Sequence, residues 1–115
     1  MEKRVEFTRL LDFYGALLTE HRREIMRSYL EEDLSLQEIA DSMSITRQGV
    51  HDAIQKSQMQ LMAYEEKLGL LERYRNLMRA VSDCRRELES AEGENARRAI
   101  EKAVEALNRI EDIER

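Results

Sequence analysis

Arg75, Arg79 and Arg86 follow one another at steps of four and seven residues, which on a helix sets them along one strip. They belong to a stretch, residues 73 to 86, that carries five arginines against Asp83 alone. A guanidinium row of this kind grips a phosphate backbone or an acidic protein surface, or it is simply a solvated helix face. The sharper reading makes it a docking strip for RNA, DNA backbone or an acidic protein.

The other residues that could do chemistry are sparse. His21 and His51 are the two histidines, and neither has a Cys, Asp or Glu at a spacing that would distinguish a metal site from an exposed helix face. Cys84 is alone and falls on an apolar stripe, as a buried, inert thiol does. No glycine-rich phosphate loop, serine-centred elbow or paired-carboxylate pocket can be assembled, and the carboxylates alternate with Arg and Lys as on a solvated face. Neither an enzyme nor a cofactor or metal carrier is expected. Met59 and Met62 lie on the side of their helix away from Val50 and Ile54, where they either form an adaptable partner surface or are covered by the C-terminal helices.

Composition says what must position these residues. With no proline, four glycines and 37% charged residues, the chain has few devices for turns and many for helices. Six Tyr and Phe residues and few β-branched ones leave too little for a sheet, so the fold class is all-α. A net charge of -5 and a pI near 5.2 exclude a chain built to coat nucleic acid, while leaving room for a local basic face. A single cysteine and an N-terminus that leads into no apolar signal region predict a cytoplasmic protein, and no run is long enough for membrane insertion.

Apolar spacing divides the chain into helices. Val5, Leu10, Leu11, Tyr14, Leu17 and Leu18 predict a first helix ending near Leu18, and Thr19 caps a second that runs through Ile25, Met26, Tyr29 and Leu30. Ser35-Leu36-Gln37-Glu38 is a capping box that starts a short third helix, which Ser42-Met43-Ser44 interrupts. Thr46 caps a fourth, whose inner face is Val50, Ile54, Ser57, Leu61 and Tyr64. Beyond it an apolar stripe continues through Leu68, Leu71, Tyr74, Met78, Val81, Cys84, Leu88 and Ala91, broken only at Gly69. After a turn at Gly93, a last helix carries Ala96, Ile100, Ala103, Val104, Leu107 and Ile110.

A short capped helix, a tight turn and a second helix held by a few apolar contacts make a helix-turn-helix, and Leu36 to Ile54 supplies each part. Ile39 and Ala40 face the core, Ser44 occupies the turn, Ile45 plugs the corner and Thr46 caps the recognition helix. The expected organisation is a helical domain over residues 1–66 containing the helix-turn-helix at 35–62. A C-terminal helical extension over 67–115, a helical hairpin, follows. Its two apolar stripes exceed what one small domain needs, which predicts a homodimer.

The runs Leu11-Asp12-Phe13-Tyr14-Gly15-Ala16-Leu17-Leu18-Thr19, Ser35-Leu36-Gln37-Glu38-Ile39-Ala40, Thr46-Arg47-Gln48-Gly49-Val50 and Tyr64-Glu65-Glu66-Lys67-Leu68 resemble the YlxM family of small bacterial helix-turn-helix proteins. The resemblance implies a likeness to DNA-binding region 4 of bacterial sigma factors. It also implies a regulatory or accessory role in the signal recognition particle pathway, with the particle's protein or RNA as partner; the alternative is a dimeric, sequence-specific DNA-binding transcription regulator. Carried over by position, Thr46, Arg47, Gln48, His51, Asp52 and Gln55 become the groove-facing residues: Arg47 for phosphate or guanine, Gln48 and Gln55 for adenine, Thr46 for phosphate. Two features of this sequence depart from a strong DNA reader. Gly49 lies inside the recognition helix, at a cost of roughly 1 kcal/mol against alanine, and residues 35 to 64 set Arg47 and Lys56 against Glu38, Asp41 and Asp52, a formal charge of -1.

Overall fold

The computed structural model describes residues 3–114, apart from the side chains of Glu94, Ile113 and Glu114. Among them are six α-helices and no strand: α1 (Lys3–Tyr14), α2 (Glu20–Leu30), α3 (Leu36–Met43), α4 (Arg47–Leu68), α5 (Leu70–Glu89) and α6 (Ala96–Glu114). Two compact units are formed, one up to Leu71 and one from Glu72 onward.

Each start in the first unit has a local cause. Thr19 Oγ1 accepts from the amide of Arg22 at 3.3 Å and opens α2. At α3 the capping box is complete: the Glu38 amide donates to Ser35 Oγ at 3.1 Å, and the Ser35 amide donates to Glu38 Oε1 at 3.0 Å. The Ser35 amide, and then its hydroxyl, hold the Glu38 carboxyl below its ordinary value. The first helix is shorter than the spacing implies, because a 3-10 turn over Gly15–Leu17 takes the place of its last turn. That turn swings Leu17 outward, and Val5 is also exposed, so neither joins the core.

The core of this unit lies under α4, which packs against α1, α2 and α3. Tyr14, Ile25, Met26, Ile39, Val50, Ser57 and Leu61 are all sealed from solvent. Ala40 is buried where α3 meets α4, as its small side chain requires. At the corner, Ser44 takes the left-handed conformation, φ 56°, ψ 41°, which disfavours a side chain with Cβ by roughly 1 kcal/mol or more. Ser44→Gly is therefore expected to stabilise the unit by about 0.5–1 kcal/mol, read from the urea midpoint at unchanged slope; a lower midpoint would show that the serine hydroxyl matters more than the backbone.

Glycine ends α4 for the same steric reason. Gly69 has φ +62° and its amide donates to the Glu65 carbonyl at 2.8 Å, so α5 starts one residue later. Three groups meet there: the Tyr14 hydroxyl donates to Glu65 Oε1 at 2.6 Å, the Leu71 amide donates to the same oxygen at 3.0 Å, and the Leu70 amide donates to the tyrosine hydroxyl at 3.0 Å. Two of the orphan amides at the start of α5 are thus satisfied by side chains from α1 and α4. Burial first, and then the bond to Glu65, raise the pKa of Tyr14.

In the second unit, α5 and α6 form a hairpin whose turn includes Gly93 at φ +49°. Its seam is made of small residues, with Cys84, Ala103 and Ala106 buried together and Ala80 and Ala99 also buried. This corrects the expected stripes. Of the stripe expected to run on from Leu68, Leu71 and Cys84 are buried, whereas Leu68 at the end of α4 and Met78 and Leu88 on α5 are exposed; of the α6 set, Ala103 is buried, but Ile100, Val104 and Leu107 are about half exposed. The seam takes the small residues, and the bulkier aliphatic row one position along is turned aside.

Candidate nucleic-acid interface

The capped start of α4 presents its open side as one surface. Thr46 Oγ1 accepts from the Gly49 amide at 2.9 Å, so this hydroxyl oxygen is committed to the cap while its proton remains available to donate. Arg47, Gln48, His51, Asp52 and Gln55 are all exposed along the same side of the helix. Arg47 has no ion-pair partner among the described residues, and it occupies the first turn of its helix. Gln48 and His51 are otherwise engaged. Gln48 Nε2 donates to Asp52 Oδ1 at 3.0 Å, and His51 Nδ1 lies 3.8 Å from the same oxygen. Gln48, expected to meet a base, is therefore oriented by a carboxylate that itself repels phosphate.

Further along the same side, the polar surface becomes apolar. Met59 is 71% and Met62 56% exposed. They border a groove of about 570 Å³ between α1, α2 and α4, with Phe7 and Leu30 at its base and Lys3, Arg4, Gln55 and Gln58 around it. Arg4 holds the end of that groove: its guanidinium bonds the Tyr29 carbonyl, pairs with Asp33 Oδ1 at 2.8 Å and lies 5.0 Å from the Tyr29 ring centroid. The periodicity of α4 identified the methionines; the basic and aromatic partners come from α1 and α2 and carry no signal local to it.

On α5, Arg79 and Arg86 are exposed and Arg75 is half-buried. Arg79 donates to Asn76 one turn earlier, and Arg86 lies 3.7 Å from Asp83. The pair with Asp83 is solvent-exposed and weak, leaving Arg86 available to an external anion. Cys84 is buried with Sγ 3.7 Å from the Ala103 carbonyl, a packing position rather than a reactive one. Among the described residues no group of three or more His, Cys, Asp and Glu side chains is arranged to hold a metal ion.

The helix-turn-helix geometry and the sequence matches agree. The family described as helix-turn-helix protein, YlxM / p13 like, matches residues 1–107. The chain belongs to this family. Similar proteins include a UPF0122 protein of Symbiobacterium thermophilum, 42% identical over 91 residues, which cover 79% of this chain and 85% of the relative. A UPF0122 protein of a Thermoanaerobacter species is 40% identical over 108 residues, 94% of this chain and 87% of the relative. One from Clostridium botulinum is 48% identical over 73 residues, 64% and 67% of the two chains. No helix among the described residues is long and apolar enough to cross a membrane.

Proposed function

We propose that this YlxM / p13-like chain is a non-catalytic accessory component of the signal recognition particle pathway that docks on the particle's RNA through the arginine strip of α5. The observation that carries this reading is the distribution of charge. Residues 73 to 86 hold five arginines against Asp83, with Arg79 and Arg86 exposed. The helix-turn-helix, by contrast, has a formal charge of -1 and ties Gln48 to Asp52. Phosphate contacts supply most of the affinity for a nucleic acid, so the strip is the better grip.

A DNA-reading regulator is the second reading, favoured by unpaired Arg47 at the capped start of a recognition helix. Two triple alanine variants separate the readings, one at Arg75, Arg79 and Arg86 and one at Arg47, Gln48 and Gln55, each titrated with the particle's RNA, its protein subunit and duplex DNA at several salt concentrations. The strip variant is expected to lose roughly ten- to a hundredfold in RNA affinity and to show a flatter salt dependence. Loss of sequence-specific duplex binding in the second variant alone, with RNA binding unaffected in the first, would establish the regulator instead. Loss confined to the protein subunit would identify the strip as a protein-docking surface and overturn the RNA assignment.

A further inference from the structure

The outer side of α6 presents an apolar surface. Ile100, Val104 and Leu107, 55%, 49% and 51% exposed, form a continuous apolar row beside the alanine seam. The row borders a cavity of about 410 Å³ that Leu107 and Ile110 share with Val81, Cys84 and Leu88 of α5. Among the described residues the seam side chains that join the two helices are too small to fill it. A second pair of helices completing a four-helix bundle would bury both the row and the cavity.

The charges at the ends of the row choose the occupant. Arg97, Ile100, Val104, Leu107 and Glu111 are spaced three, four, three and four residues apart, so they share one helical strip, with Val104 at its centre. Arg97 in the first turn and Glu111 in the last both oppose the helix dipole, and α6 has neither an acidic first turn nor a basic last turn to offset them. Within one helix this arrangement is unfavourable. Between two antiparallel copies it is attractive twice over, because seven residues, about 10 Å, separate each charge from the centre.

We propose that a second copy of this chain lays its α6 antiparallel on this face, with Val104 at the two-fold axis and Arg97 of each copy against Glu111 of the other. A foreign helix of uniform charge would match only one end. The full chain is expected to sediment and scatter at micromolar concentration as twice its 13.6 kDa mass. Val104→Glu, which brings two carboxylates together at the axis, is expected to weaken association by roughly two orders of magnitude with the helical circular dichroism unchanged. Arg97→Glu and Glu111→Arg should each weaken it roughly fivefold, and the two together should restore it, since the exchange reverses both symmetric contacts. A native chain that remains a 13.6 kDa species overturns the proposal. So does a dimer indifferent to Val104→Glu, and a double charge exchange no better than either single one overturns the antiparallel register.

Discussion

Glu65→Ala is expected to destabilise the first unit by about 2–4 kcal/mol, a large effect for a half-exposed surface carboxylate. One oxygen of Glu65 accepts from the Tyr14 hydroxyl at 2.6 Å and from the Leu71 amide at 3.0 Å. Removing it leaves a sealed tyrosine hydroxyl and a helix-start amide without an acceptor, and each unsatisfied group costs about 1–3 kcal/mol. Glu65→Gln keeps an acceptor oxygen in place and should cost less than half as much. Tyr14→Phe removes the donor to Glu65 and the acceptor for the Leu70 amide, at about 1–3 kcal/mol. Because the two side chains share the bond, their effects should be non-additive by about 1 kcal/mol or more in a double-mutant cycle. Chemical denaturation of the four proteins reads this directly. Additive losses, or losses within 0.5 kcal/mol of zero, would mean that packing around the Tyr14 ring alone holds the start of α5.

That joint shows where sequence reading stops. Tyr14 and Glu65 are 51 residues apart, and nothing local to either announces the bond. Both lie in runs that carry the YlxM resemblance, and the structure supplies a physical reason for these residue types: Tyr14 packs on Tyr64 with centroids 5.9 Å apart, while Tyr64 donates to the Leu17 carbonyl at 3.4 Å. By contrast, the features written in neighbouring residues were legible. The Thr19 and Thr46 caps, the Ser35 box, the corner at Ser44 and the break at Gly69 each depend on residues within one turn, and each occurs where the spacing put it. The all-α class and the helix-turn-helix follow from them.

The C-terminal hairpin was read less well for a different reason. Periodicity locates an apolar stripe but cannot say which of two adjacent rows faces the neighbouring helix. The expected stripe held Ala103, which is in the seam, together with Ile100, Val104 and Leu107, which are not, and it left out Ala99 and Ala106, which are. A pair of helices in isolation gains most by approaching closely, and alanine permits that. The open side of α4 is intermediate. Spacing identified which residues share it, but the bond of Gln48 to Asp52 depends on rotamers that spacing does not specify.

Two truncations on the inner face of α4 should move stability in opposite directions, although they lie one turn apart and both residues are fully buried. Leu61 is sealed under the contacts that α1 and α2 make with α4. Leu61→Ala removes apolar surface and leaves a cavity that rigid helices on three sides cannot collapse into, at about 2–5 kcal/mol. Ser57 is equally sealed, but its Oγ has no hydrogen-bond partner among the described residues. Among the described residues none replaces the water that this hydroxyl meets in the unfolded chain. Ser57→Ala keeps the small volume that the packing needs, raises helix propensity and deletes the orphaned oxygen, so it should stabilise the unit by about 0.5–2 kcal/mol. Urea titrations at constant slope measure both. A destabilising Ser57→Ala would reveal a partner for the hydroxyl in solution, a buried water or the carbonyl one turn back, and the face would then owe part of its order to a polar contact. A Leu61→Ala loss below 1 kcal/mol would mean that the helices around α4 yield far more readily than their packing implies.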